Sequence, residues 1–145
     1  MSAAAARKPV TDDLDIPAGF ELVDGSLLEK ETSGEHARAQ GNVVTSLNGP
    51  FGRRPPGGPP ERPGGWWFAT EALVYFGPGK KYRPDIAGWR RDRAPTPPAG
   101  VLINDIPDWI CEIVSPSNAS HDTITKMEDY HRAAVGHYWL LDPRD

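Results

Sequence analysis

Asp108-Trp109-Ile110-Cys111-Glu112-Ile113-Val114 is an apolar run with one carboxylate enclosed in it. The run is too short for an ordinary helix and reads as a central strand covered on both faces. A charge in such a place is costly unless a cation or a donor compensates it. Alternation along a strand puts Glu112 on one face with Ile110 and Val114, and Trp109, Cys111 and Ile113 on the other. A second acid, Asp85, lies in Tyr82-Arg83-Pro84-Asp85-Ile86-Ala87, which also has strand character. The chain must therefore fold so that both acids are compensated, and a bound divalent cation is one way to do it.

The segments around these acids predict an α/β frame. Phe20–Val23 and Ser26–Glu29 flank Asp24-Gly25, a hairpin signal because both turn positions take positive φ. Ser33 is placed to cap a helix running to about Leu47, with Val43, Val44 and Leu47 on one side. Residues 49–65 are rich in proline and glycine and read as a mobile surface loop. Strands are expected over 66–76 and 82–89, with a charged, proline-rich loop over 90–100. After the Glu112 strand comes a helix over 122–134. Ile124, Met127, His131 and Ala134 are spaced for its apolar face, with Asp122, Lys126 and Tyr130 on a neighbouring one. A last strand covers 137–141. The order ββ-α-ββ-β-α-β predicts a mixed sheet flanked by helices, in one domain over 19–145 after a flexible segment at 1–18.

Bulk properties narrow the function. At 145 residues the chain is long enough for one real core, and no apolar run approaches the roughly 18 residues of a membrane span. A single cysteine cannot form an internal disulfide, so a cytoplasmic setting is expected. His121, His131 and His137 do not match zinc spacing. The net charge of −4 argues against a protein that grips nucleic acid over its whole surface. Even so, Lys80, Lys81, Arg83, Arg90, Arg91 and Arg93 gather around Asp85, either as the charged ends of a hairpin or as an attraction for phosphate.

Distance decides which acid can partner Glu112. Asp108 lies four residues away on the same strand, about 13 Å at roughly 3.3 Å per residue, too far to share an ion. Asp85 comes from another segment, and adjacent strands lie only about 4.8 Å apart. Magnesium suits such a pair, since it takes one or two carboxylates together with waters and phosphate oxygens. A lysine beside it would orient a water or offset developing charge, and Lys126 is the candidate. Taken alone, Asp122 and Lys126 read equally well as a surface ion pair. Glu35 and His36 open the first helix. Capping and solvent exposure account for Glu35, and His36 is a candidate to line the site.

Phe20-Glu21-Leu22-Val23-Asp24-Gly25, Tyr82-Arg83-Pro84-Asp85-Ile86, Pro107-Asp108 through Glu112-Ile113-Val114-Ser115-Pro116-Ser117, and Tyr138-Trp139-Leu140-Leu141-Asp142-Pro143 together carry a family likeness. They resemble the Uma-type family of putative restriction endonucleases, within the PD-(D/E)XK nuclease superfamily, over roughly residues 19–145. The resemblance implies a restriction-endonuclease-like core and Mg²⁺-dependent cleavage of DNA, with Mn²⁺ able to substitute. It implies Asp85 and Glu112 as metal ligands, the backbone carbonyl of Ile113 as a third, and Glu35 or His36 as accessory groups. The superfamily motif sets its lysine two residues after the acid, where this chain has Val114, so the resemblance moves that role to Lys126. Relatives continue through further strands after the Asp-Pro. A C-terminally truncated sheet is therefore an expectation, and an open edge invites pairing with a second chain, a homodimer included. The rival expectation is a non-cleaving nucleic-acid- or protein-binding relative, or an inactive fragment, of the same fold.

Overall fold

Asp24 and Gly25 both take positive φ (47° and 79°) and close a two-residue hairpin between β1 (Phe20–Val23) and β2 (Ser26–Glu29). The computed structural model describes residues 15–30, 33–52, 64–114 and 121–144. The Ser33 side chain accepts from the His36 N–H at 3.1 Å and caps α1 (Gly34–Leu47). Part of the expected loop over 49–65 is regular, because Asn48–Gly52 extend α1 as a π-helical turn, while residues 53–63 lie outside the described part.

Two expected strands are each divided. Residues 66–76 form β3 (Trp66–Ala69) and β4 (Val74–Tyr75), parted where Glu71 adopts a left-handed φ of 58°. Residues 82–89 become β5 (Lys81–Tyr82) and β6 (Ile86–Arg90). Pro84, with no N–H to give a ladder, lies in the break. The two halves then join different sheets. The first sheet has the order β2-β1-β5-β4 and is antiparallel. The second has the order β3-β6-β7-β8, with β7 (Trp109–Ile113) parallel to β8 (His137–Leu141). A parallel pair needs a long crossover, and α2 (His121–Arg132) supplies it. The expected α/β class with a mixed sheet holds, the mixed sheet being β3-β6-β7-β8, and a second, antiparallel sheet joins it, with the chain crossing between them at Arg83-Pro84-Asp85.

The faces of β7 follow the alternation read from sequence. Trp109 and Cys111 pack with Ile86 against Val43, Val44 and Leu47 of α1. Ile110 packs on the other side with Tyr82, Trp89 and Tyr130. For α2 the expected apolar face is wrong. Ile124, Met127 and His131 are exposed, and the helix buries Lys126, Asp129 and Tyr130 instead. The Tyr130 ring meets Phe76, Tyr82 and Tyr138 at centroid distances of 5.1, 6.0 and 5.3 Å, so aromatic packing and charge pairing orient this helix rather than its aliphatic residues. Packing also begins earlier than residue 19, since Ile16 is buried with Leu22 and Leu73. β8 is an edge strand carrying the exposed Trp139 and Leu140. No described helix is long and apolar enough to cross a membrane.

Gly88 in β6 lies in register between Phe68 and Trp109, whose rings meet edge to face at 5.8 Å. A Cβ there would stand 3.0 Å from one Phe68 ring carbon and 3.2 Å from Trp109. Both rings are packed, so Gly88→Ala is expected to cost about 1–3 kcal/mol by overpacking. Urea unfolding checks this, and an unchanged midpoint would mean that the rings move apart freely.

Candidate active site

Register delivers Asp85 to Glu112. Ile86 faces Cys111 and Ala87 faces Ile110, so one further step of the antiparallel ladder sets Asp85 opposite Glu112. The Asp85 N–H donates to Glu112 Oε1 at 3.2 Å, and the Ile113 N–H donates to Asp85 Oδ2 at 2.7 Å. Asp108 is at the other end of the sheet, where it accepts from the Arg90 N–H and from Arg93 at 2.8 Å each. Ile113 therefore meets Asp85 through a donor, whereas the expectation concerned its carbonyl.

A cation stands on each side of the acid pair. On the Glu112 side, Lys126 Nζ lies 3.6 Å from Glu112 Oε2 and 2.7 Å from Glu21 Oε1. Glu112 Oε2 also accepts from the Tyr130 hydroxyl at 2.7 Å. The side chain of Asp122, expected on the same helical face as Lys126, lies outside the described part. On the Asp85 side, Oδ1 takes His36 Nε2 at 3.0 Å and Lys30 Nζ at 2.8 Å. Lys30 also reaches Glu71 Oε1 at 2.8 Å, and Gln40 of α1 spans Glu71 Oε2 and the Asp85 carbonyl at 2.9 and 2.7 Å. His36 is thus within the cluster. Glu35 points to solvent and approaches Arg38 at 3.8 Å.

The two acids respond to burial in opposite ways. Burial raises Asp85, but the hydrogen bond from His36 and the charge of Lys30 outweigh it and hold the carboxyl well below the usual range. Burial pushes Glu112 up to about 7, with Lys126 opposing and the charge of Asp85 adding to the rise. One acid is therefore a firm anion, while the other sits near neutrality. His36 is raised, first by its bond to Asp85, and Lys30 is held well above its ordinary value because the surrounding carboxylates outweigh its burial.

Sequence reasoning missed Glu21, Lys30, Glu71, Gln40 and Tyr130 as members of this cluster. Glu21 carried the same signal as Glu112, a carboxylate within an apolar strand, Phe20-Glu21-Leu22-Val23. The basic stretch around Asp85 is largely committed within the fold. Arg93 binds Asp105 and Asp108, Arg90 binds Asp92, and Lys80 binds Asp24 and Asp129. Arg91 lies over the Trp67 ring at 3.7 Å, and Arg83 donates to the carbonyls of Ile16, Phe20 and Glu71.

Among the described residues, no three His, Cys, Asp or Glu side chains are gathered so as to hold a metal ion as they stand. The donors present are carboxylates, and an ammonium already stands between two of them as a stand-in cation. A sparse set of hard oxygen donors fits magnesium, which uses one or two carboxylates and leaves its other positions to water and phosphate.

A crystal structure of a putative nuclease belonging to DUF820 from Anabaena variabilis has a similar fold, with a TM-score of 0.69 and 24% sequence identity over 94% of this chain and 75% of that one. Comparison with functionally curated proteins gives no match. The family model for Uma2, described as putative restriction endonuclease, matches residues 14–145, a span that takes in both acids, both flanking lysines and every strand described above. The likeness read from the sequence segments is thereby borne out, and the chain belongs to the Uma2 family of putative restriction endonucleases.

Proposed function

We propose that this protein is a metal-dependent endonuclease that hydrolyses DNA phosphodiester bonds at Asp85, Glu112 and Lys126. The observation that carries this reading is the direct contact of Asp85 with Glu112 where the chain passes between sheets, with Lys126 3.6 Å from Glu112. DNA as substrate rests on the family description. Asp85 and Glu112 would hold Mg²⁺, or Mn²⁺ in its place, with the Ile113 carbonyl as a candidate third ligand. Bound there, the ion would supply charge neutralisation at the phosphate and would lower the pKa of an attacking water.

The chain's own groups have separable tasks. Asp85 supplies a fixed negative charge, held in place by the Ile113 N–H and His36. Glu112, raised to about 7 by burial, would ionise to hold the cation. Tyr130 positions it by donating to Oε2. Lys126 offsets negative charge that develops on the phosphate, and Glu21 holds its ammonium at the site.

Purified full-length protein with Mg²⁺ or Mn²⁺ is expected to nick or linearise supercoiled plasmid, and EDTA is expected to stop it. Plasmid bound but left uncut under both metals would overturn the reading. A non-cleaving relative is the second reading, favoured by the saturation of Asp85 Oδ1 by Lys30 and His36. It requires DNA binding that neither EDTA nor Lys126→Ala alters.

A further inference from the structure

We infer that Lys30 holds the place of a divalent cation on the Asp85 side of the acid pair in the metal-free protein, and that Glu71 becomes a second carboxylate ligand beside Asp85 when the ion displaces that ammonium. The inference rests on the metal-dependent reading above. Lys30 Nζ lies 2.8 Å from Asp85 Oδ1, 2.8 Å from Glu71 Oε1 and 2.5 Å from the Arg83 carbonyl. Two carboxylate oxygens and a carbonyl oxygen thus converge on one positive point, which is the donor chemistry a hard divalent ion takes. An ammonium has three donors and no acceptor, and here each donor has an oxygen. The ammonium and an ion cannot occupy that point together.

The Asp85 side chain is 3% exposed, Lys30 10% and Glu71 34%, so Glu71 is the member of this group most open to solvent. Glu71 is held for this position at a cost. Its φ of 58° is unfavourable for a residue with a side chain, and it persists because its N–H donates to the Pro84 carbonyl and Arg83 donates to its own carbonyl. Gln40 binds Glu71 Oε2 independently of Lys30, so the carboxylate stays in place when the ammonium leaves. Lys30 follows the last residue of β2 and carries its charge on a flexible four-carbon stem that can swing aside.

Competition for one position makes a distinct prediction, namely that removing a positive side chain strengthens metal binding. Mn²⁺ is titrated into metal-free full-length protein without DNA and followed by calorimetry. Lys30→Met is expected to bind Mn²⁺ about tenfold more tightly than the parent, a change of about 1.4 kcal/mol. The double variant Lys30→Met/Glu71→Gln is expected to lose that gain. Should Lys30→Met be unfolded without metal, Mn²⁺ must restore its cooperative unfolding transition, and failure to do so would overturn the inference. Equal affinity in the parent and Lys30→Met would overturn the exchange while leaving metal dependence standing. Absence of Mn²⁺ binding in both would overturn the inference and the metal-dependent reading together.

Discussion

Glu112→Gln is expected to lower metal-dependent DNA cleavage by about 10²–10³-fold, the scale seen when one preorganised electrostatic group is removed from an active site. The substitution keeps the shape of the side chain. Its amide oxygen can accept from the Asp85 N–H, and its NH₂ can donate to the Tyr130 oxygen once that hydroxyl turns. What is lost is a carboxylate able to ionise and hold a cation. Stability should move the other way. The folded protein binds a proton on Glu112 more tightly than the unfolded chain does, because burial raises its pKa from 4.5 to about 7. Its contribution to stability is therefore complete below pH 4.5 and is lost as pH rises through about 7. A glutamine at this position does not titrate. The stability of the metal-free parent relative to Glu112→Gln should fall across that window, leaving the variant the more stable at higher pH. Plasmid nicking and urea unfolding at several pH values check both halves. Retained cleavage would remove Glu112 from the site, and a difference that grows in the parent's favour with pH would reverse the assigned shift.

Lys126→Met is expected to destabilise the fold by about 3–5 kcal/mol, the cost of removing one partner from a buried ion pair. Glu21 and Lys126 lie 2.7 Å apart with side chains only 1% and 8% exposed, and Glu112 adds a second carboxylate at 3.6 Å. Without the ammonium, two buried acids face each other with no cation between them. Adding Glu21→Gln to Lys126→Met is expected to restore most of the lost stability, because the acid closest to the missing ammonium no longer carries a charge. It is not expected to restore cleavage, because the positive charge beside the phosphate is still missing. Urea unfolding of the parent, both single variants and the double variant measures the coupling directly. Cleavage that returned with stability would make Lys126 a purely structural residue.

The acid pair was legible in the sequence because each member stands in a segment that reads as an apolar strand, although Asp85 proves to sit just before β6. The Asp24-Gly25 hairpin and the Ser33 cap were legible because turn and cap chemistry is local. Lys30 and Glu71 were not. Lys30 sits beside Glu29 and Glu31 and reads as solvated surface, while Glu71 lies within the run expected to be one continuous strand, and their pairing spans 41 residues of chain. The face of α2 was misread for a related reason. Its aliphatic spacing suggested an inward stripe, yet Tyr130 and Lys126 gain more from the aromatic cluster and the acids than Ile124 and Met127 would from burial. Nor did strand propensity reveal the break at Arg83-Pro84-Asp85. That break depends on how two sheets divide the chain, and only the proline hinted at it.

Glu21 and Lys126 are bonded across 105 residues of chain, and Asp85 and Glu112 stand between them in sequence. A polypeptide emerging from the ribosome thus displays Glu21 and Asp85 well before, and Glu112 just before, the helix that carries Lys126. Until that helix docks, Glu21 and Glu112 have no shared cation, and β8 has no crossover to bring it beside β7. A chain that lacks α2 therefore cannot assemble the constellation proposed to cut DNA. Internal deletions or nicks that detach α2 should dismantle it just as completely.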